Sequence, residues 1–169
     1  KRNEKLISNI KHTTIEGSHG GGMTFVIRGS SPEVRGEVKR AFDDALGVAH
    51  RLKRHPQMLP GGGASHVHLA RHLRIFASSQ SGREQLAIEA YAAALEIIPR
   101  VLAENSGFDP IDTVLSLSAA QNNGGSDGSW IGLDIKLGQN ANMMEAGILD
   151  PLFVAKHAIT GATESAINV

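Results

Sequence analysis

The sequence predicts a mainly α-helical fold with a few short strands, and three observations carry that expectation. Apolar residues recur at spacings of three and four over long stretches, the period of a helix with one buried face. Ser31-Pro32, Asp109-Pro110 and Asp150-Pro151 each set an acceptor side chain before a proline, a pattern that opens helices. Aromatic residues make up only 4% of the chain, so Ala, Leu, Ile and Val must build its core.

Taken in order, residues 1–22 are polar and end in a glycine run, which reads as a connection. Within them Thr13–Glu16 alternates like an edge strand. Met23–Arg28 is β-branched and aromatic, is closed by Gly29, and reads as a strand. Ser31 is the expected N-cap of a first helix that carries Val34, Val38, Ala41, Ala45, Val48 and Leu52 and runs to about Arg54, ahead of His55-Pro56. The triplet Gly61-Gly62-Gly63 opens a second helix, with Val67, Leu69, Ala70, Leu73 and Phe76 on its apolar side. A third helix is expected from Arg83 to Asn105, kinked by Pro99 because proline removes one backbone bond and crowds the preceding turn. Asp109 caps a fourth helix carrying Ile111, Val114, Leu115 and Leu117. Asn122–Ser129 reads as a flexible loop, Trp130–Ile135 as a strand, and Asp150-Pro151 as the start of a last helix.

The 169 residues suggest one domain, or one domain with part of another. Seventeen basic and seventeen acidic residues cancel, so charge argues for neither nucleic acid nor an anionic membrane as partner. With no cysteine in the chain, disulfides and thiolate chemistry are excluded. No apolar run reaches the roughly 18 residues of a membrane helix. The chain begins at Lys1 without an initiator Met and stops at Val169 inside an apolar pattern, so both ends are expected to be cuts in a longer chain.

Four sets of residues are candidates for chemistry. Three consecutive glycines are tolerated where a tight turn or a close ligand needs bare backbone, and Gly61–Gly63 fits either an interhelical turn or a ligand loop. Asp44 sits at the edge of the first helix's apolar stripe, either as a solvated charge or as a carboxylate that orients water. Asp150 can cap the last helix, and its spare lone pairs can also accept from ribose hydroxyls. His68 and His72 share a helix face at a usable metal spacing, but His66 lies off it and no cysteine assists. No metal site is assigned.

In order and at matching spacing, these segments resemble the C-terminal portion of a group II chaperonin subunit, the family of the eukaryotic cytosolic chaperonin and the archaeal thermosome. The matching blocks are Phe25–Gly29, Lys39–Leu46, Pro60–Ser65, Gln85–Ala90, Ala94–Arg100, Leu102–Gly107, Gly132–Ile135 and Glu145–Pro151. The resemblance divides the chain into an apical-domain remnant and linker (1–22), the returning half of an intermediate domain (23–59) and the C-terminal half of an equatorial ATP-binding domain (60–169). It implies Asp44 as the catalytic carboxylate that activates water against the γ-phosphate of ATP. It also implies Gly61, Gly62, Gly63, Asp134 and Asp150 as nucleotide contacts, with Asp150 at the ribose.

The cofactors implied are ATP and Mg²⁺, with the magnesium ligand and the Gly-Asp-Gly-Thr-Thr phosphate loop expected on an N-terminal part that these residues do not include. The partners implied are other subunits of a cytoplasmic double ring and unfolded client proteins, with neither nucleic acid nor membrane. Three positions depart from the family pattern. His66 stands where Glu is usual, Asp43 where His is usual, and Ala155 where Lys is frequent, with Lys156 one place later. A non-catalytic chaperonin-like module and a small metal-binding helical protein are the competing expectations.

Overall fold

The computed structural model describes the backbone of residues 2–7 and 10–15 and all of 22–169. Among the described residues there are six α-helices and six short strands, so the mainly helical expectation is borne out. The chain divides into two compact units, Lys1–Ala45 and Leu46–Val169.

The first unit holds a hairpin of β1 (Arg2–Ile7) and β2 (Ile10–Ile15), antiparallel with Arg2 opposite Ile15 and Ile7 opposite Ile10. Thr13–Ile15 of the expected edge strand therefore lie in β2, while Glu16 lies outside the described residues. The expected strand Met23–Arg28 is not formed. A β-branched run becomes a strand only with a ladder partner, and among the described residues this one has none. Side chains hold it instead: Phe25 packs on Phe42 with ring centroids 4.6 Å apart, and Arg35 donates to the carbonyl of Gly29 at 3.1 Å. Helix α1 (Pro32–Arg54) begins where the cap pattern predicted, with the N–H of Val34 donating to Ser31 Oγ at 3.3 Å. None of its residues is buried, and its apolar stripe is exposed from Val34 to Val48 and half-buried at Leu52.

The second unit is built around α2 (Ala64–Ala77). Val67 on this helix joins Ala103, Leu117 and Leu133 in one buried cluster, with Phe108 and Ile131 packed against it. Ala70 joins Ala92 and Leu95 in a second cluster. The single long helix expected over Arg83–Asn105 is two, α3 (Arg83–Leu95) and α4 (Ile97–Asn105), divided at Glu96. Pro99 lies just past the break and lacks the N–H that the carbonyl of Leu95 would need, so the chain turns one step before it. Helix α5 (Pro110–Asn123) is capped as expected, with Asp109 Oδ1 accepting from the N–H groups of Ile111 and Asp112, each at 2.8 Å.

The segment Asn122–Ser129 is not a flexible loop. Helix α5 runs through Asn123, and a 3₁₀ turn over Gly125–Trp130 follows directly. Gly128 packs so closely on the end of α5 that a Cβ there would lie 2.1 Å from the carbonyl oxygen of Gln121. Strand β4 (Ile131–Asp134) follows as predicted and pairs antiparallel with β5 (Gln139–Asn142). Strands β1 and β5 were not expected from the sequence, and neither were β3 (Met58–Pro60) and β6 (Leu149–Pro151), which pair with each other. The last helix, α6, covers Leu152–Ile167.

Candidate nucleotide-binding site

The glycine triplet is the junction of the second unit. Gly62 and Gly63 both have positive φ, 59° and 74°, the left-handed region in which glycine carries no Cβ penalty. Their turn carries the chain from β3 into α2, and the N–H of Ala64 closes it on the carbonyl of Gly61 at 3.0 Å. Bare backbone is needed on every side. A Cβ on Gly61 would lie 2.9 Å from Ile148 Cγ2, one on Gly62 2.6 Å from the Leu133 carbonyl oxygen, and one on Gly63 2.7 Å from Pro99 Cβ. Gly132 meets the triplet from the other direction, since its own Cβ would stand 2.6 Å from the carbonyl oxygen of Gly61. The glycines are thus required first by the chain's own close packing. Gly61 and Gly63 are buried, and Gly62 alone of the three keeps accessible surface.

Two backbone hydrogen bonds gather the other candidates around this turn. The N–H of Leu133 donates to the carbonyl of Gly62 at 2.9 Å, which fixes β4 and its last residue, Asp134, beside the triplet. The N–H of Gly61 donates to the carbonyl of Ile148 at 2.9 Å, and Asp150 then pairs across the strands with Leu59. Residues far apart in sequence therefore meet at one place: Gly61–Gly63, Asp134 and Asp150. Asp44 belongs to the first unit, where it is exposed on α1 next to Asp43, itself paired with Lys39 at 3.2 Å.

The two carboxylates of the junction differ in what they can offer. Asp134 is buried, and its Oδ1 accepts from the N–H groups of Lys136 at 2.8 Å and Leu137 at 3.2 Å, holding the turn between β4 and β5. Asp150 is exposed and does not cap α6; Pro151 holds that position, and the N–H of Leu152 donates to the carbonyl of Gln57 at 3.0 Å. Its place in β6 leaves its carboxylate free of capping and able to accept from a diol.

His66, in the first turn of α2, is half-buried near Asp150. Burial pushes its imidazole below the usual histidine range, and the Asp150 carboxylate pulls the other way. His66 and Ala155 line the same 220 Å³ cavity between α2 and α6, together with Lys156. His68 and His72 stack edge to face on another side of α2, with ring centroids 4.5 Å apart. Among the described residues no group of three His, Cys, Asp or Glu is arranged to hold a metal ion.

Sequence reading missed what supports the junction from beneath. Met143 is fully buried, with its side chain against both Gly62 and Gly132. Gln121 is also buried, and its Nε2 donates at 3.0 Å to the carbonyls of Ala64 and Ile131, tying the start of α2 to the start of β4. A glutamine at the end of an amphipathic helix carries no local signal of such a role. The one local sign is Gly132 inside a strand, where glycine marks a close backbone approach.

The chain as a whole is similar to known proteins. The family model for the TCP-1/cpn60 chaperonin family matches residues 1–169. The thermosome subunit of Methanocaldococcus jannaschii is 47% identical over 149 residues, 88% of this chain and 27% of that protein. The thermosome subunit of Pyrococcus horikoshii is 44% identical over 167 residues, 98% of this chain and 30% of that protein. A solved open-state monomer of a group II chaperonin from Methanococcoides burtonii superposes with a TM-score of 0.67 at 34% identity, over 97% of this chain and 40% of that one. The chain belongs to the TCP-1/cpn60 chaperonin family, and the expected group II resemblance is borne out. It spans 27% to 30% of the length of these thermosome relatives. No helix among the described residues is long and apolar enough to cross a membrane.

Proposed function

We propose that Gly61–Gly63, Asp134 and Asp150 form the adenosine-facing wall of an ATP site in a chaperonin subunit that folds other proteins within a double ring. The observation that supports this reading is the pair of backbone bonds, Leu133 to Gly62 and Gly61 to Ile148, that join the three loci at one turn. The residues fit a nucleoside. Gly62 keeps an accessible face without a side chain, and Asp150 is an exposed carboxylate suited to ribose hydroxyls. Asp134 uses one oxygen to fix the adjacent turn.

When bound, ATP supplies the γ-phosphoryl group whose hydrolysis drives the cycle, and Mg²⁺ neutralises charge on its phosphates. This chain's part is to hold the nucleoside and to present Asp44, an exposed carboxylate that takes a proton from the attacking water. In this reading, as the family resemblance implies, closure of the intermediate domain delivers Asp44 to the nucleotide and so couples chemistry to a conformational step. Residues 23–59 then act as the returning half of the intermediate domain and 60–169 as half of the equatorial domain, with 1–22 the end of the apical domain. The phosphate loop and the magnesium ligand come from elsewhere in the subunit.

The test is ADP binding and ATP turnover by rings of the full-length subunit. Asp150→Ala is expected to weaken ADP binding by about tenfold or more, the loss of hydrogen bonds to a charged acceptor. Asp44→Ala is expected to abolish turnover and leave ADP binding intact. Wild-type affinity in the first variant, or wild-type turnover in the second, refutes the corresponding assignment. The isolated 169-residue chain is expected not to hydrolyse ATP, and magnesium-dependent turnover by it would overturn that expectation.

A further inference from the structure

Behind the triplet lies a buried charge that the proposed ATP site does not use. Glu96, at the α3–α4 break, is 4% exposed. Arg74, in the last turn of α2, grips it with both guanidinium nitrogens: Nη1 donates to Oε1, and Nη2 to Oε2 at 2.8 Å. Arg100, one turn along α4, approaches Oε2 at 3.6 Å. A carboxylate is costly to remove from water unless such partners meet it, and apolar packing of the same volume would hold two helices as firmly. What a two-pronged guanidinium–carboxylate pair adds is direction, because both donors must align with both acceptors.

The direction fixed here is that of Pro99. It follows Glu96 by one helical turn on the same face, is fully buried, and packs where a Cβ of Gly63 would lie, 2.7 Å from Pro99 Cβ. Helix α2 is thus held against the α3–α4 joint near both of its ends, by Pro99 on Gly63 at the start and by Glu96 on Arg74 in the last turn. We infer that Glu96 is a positioning residue for the glycine turn: gripped by Arg74 and Arg100, it seats Pro99 against Gly63 and keeps the triplet in the geometry that receives a nucleotide. This rests on reading the triplet as part of the ATP site.

The test uses the full-length subunit with Glu96→Gln, which keeps volume and removes charge. Arg74→Gln serves as an independent second variant should the first fail to fold. Val114→Ala, a core truncation on α5, is the control for general loss of stability. Two readouts are compared: amide hydrogen exchange over residues 61–67, which needs no ligand, and ADP affinity by calorimetry. The expected result is faster exchange in this segment and an ADP Kd raised about tenfold in the Glu96 and Arg74 variants, the size of effect a displaced contact turn produces. Val114→Ala should leave ADP affinity at the wild-type value and speed exchange over residues 61–67 no more than over the rest of the core. Unchanged exchange in the Glu96 and Arg74 variants, or equal exchange in the control, overturns the positioning role. Faster exchange in the Glu96 and Arg74 variants of a subunit whose wild type binds no ADP keeps the clamp and overturns the nucleotide reading instead.

Discussion

Replacing Gly62 by Ala puts the proposed junction to a quantitative test. At φ 59° an L-residue costs about 1–2 kcal/mol. The new methyl would stand 2.6 Å from the Leu133 carbonyl oxygen and 2.7 Å from Met143 Sδ. The methionine can swing away, but the Leu133 oxygen is backbone held in the β4–β5 pair, so β4 must retreat. Overpacking of this kind costs about 1–3 kcal/mol. The retreat also stretches the 2.9 Å bond from Leu133 N–H to the Gly62 carbonyl, worth about 1 kcal/mol. The total is about 4 kcal/mol. With a urea slope of about 2 kcal/mol/M for a chain of this size, the midpoint should fall by about 2 M. Fluorescence reports it well, because Trp130 is the only tryptophan of the chain and immediately precedes β4. Gly161→Ala is the matched contrast: its Cβ meets nothing within 4 Å inside α6, and alanine there should stabilise by about 0.5–1 kcal/mol. A Gly62→Ala midpoint within about 0.3 M of wild type would refute the packing argument, because the slope then allows less than 1 kcal/mol.

Further outcomes follow from other residues. Asp109→Ala removes the acceptor for two backbone donors at the head of α5 and should cost about 1 kcal/mol, read as a lower urea midpoint with unchanged slope. Gln121→Ala leaves the carbonyl of Ile131 without this donor and should cost about 2 kcal/mol by the same assay. His66 and His68 both lie below the usual histidine range, first because of burial. A depressed histidine is neutral in the folded chain at a pH where the unfolded chain already binds a proton, so stability should fall as pH drops through the ordinary histidine range. His66→Gln should flatten that dependence between about pH 7 and 5, and an unchanged profile would remove His66 as a contributor.

Helix ends were legible because their determinants are local. Ser31 and Asp109 are separated from the N–H groups they accept by only two or three residues, and their position before proline announces them. The break near Pro99 was legible for the same reason, although its place at Glu96 was not. The failed strand at Met23–Arg28 shows the limit. A β-branched run declares that it suits a sheet, and it cannot declare whether another strand is available. Strands β3 and β6 show the converse: Met58–Pro60 and Leu149–Pro151 are too short for any periodic signal and exist only because each finds the other.

The sequence by itself determined most of the helices, the caps at Ser31 and Asp109, the absence of thiol chemistry and, through eight blocks in register, the chaperonin resemblance. Only the tertiary structure decided that the glycine triplet is first a packing junction. It decided too that Asp150 stands in a strand and does not cap a helix, and that a buried glutamate braces the turn from behind. The reason is physical. Caps and helical periods are set by neighbours along the chain. The contacts of Gly62 with Leu133, Gly63 with Pro99 and Glu96 with Arg74 join segments that meet only once the core has closed.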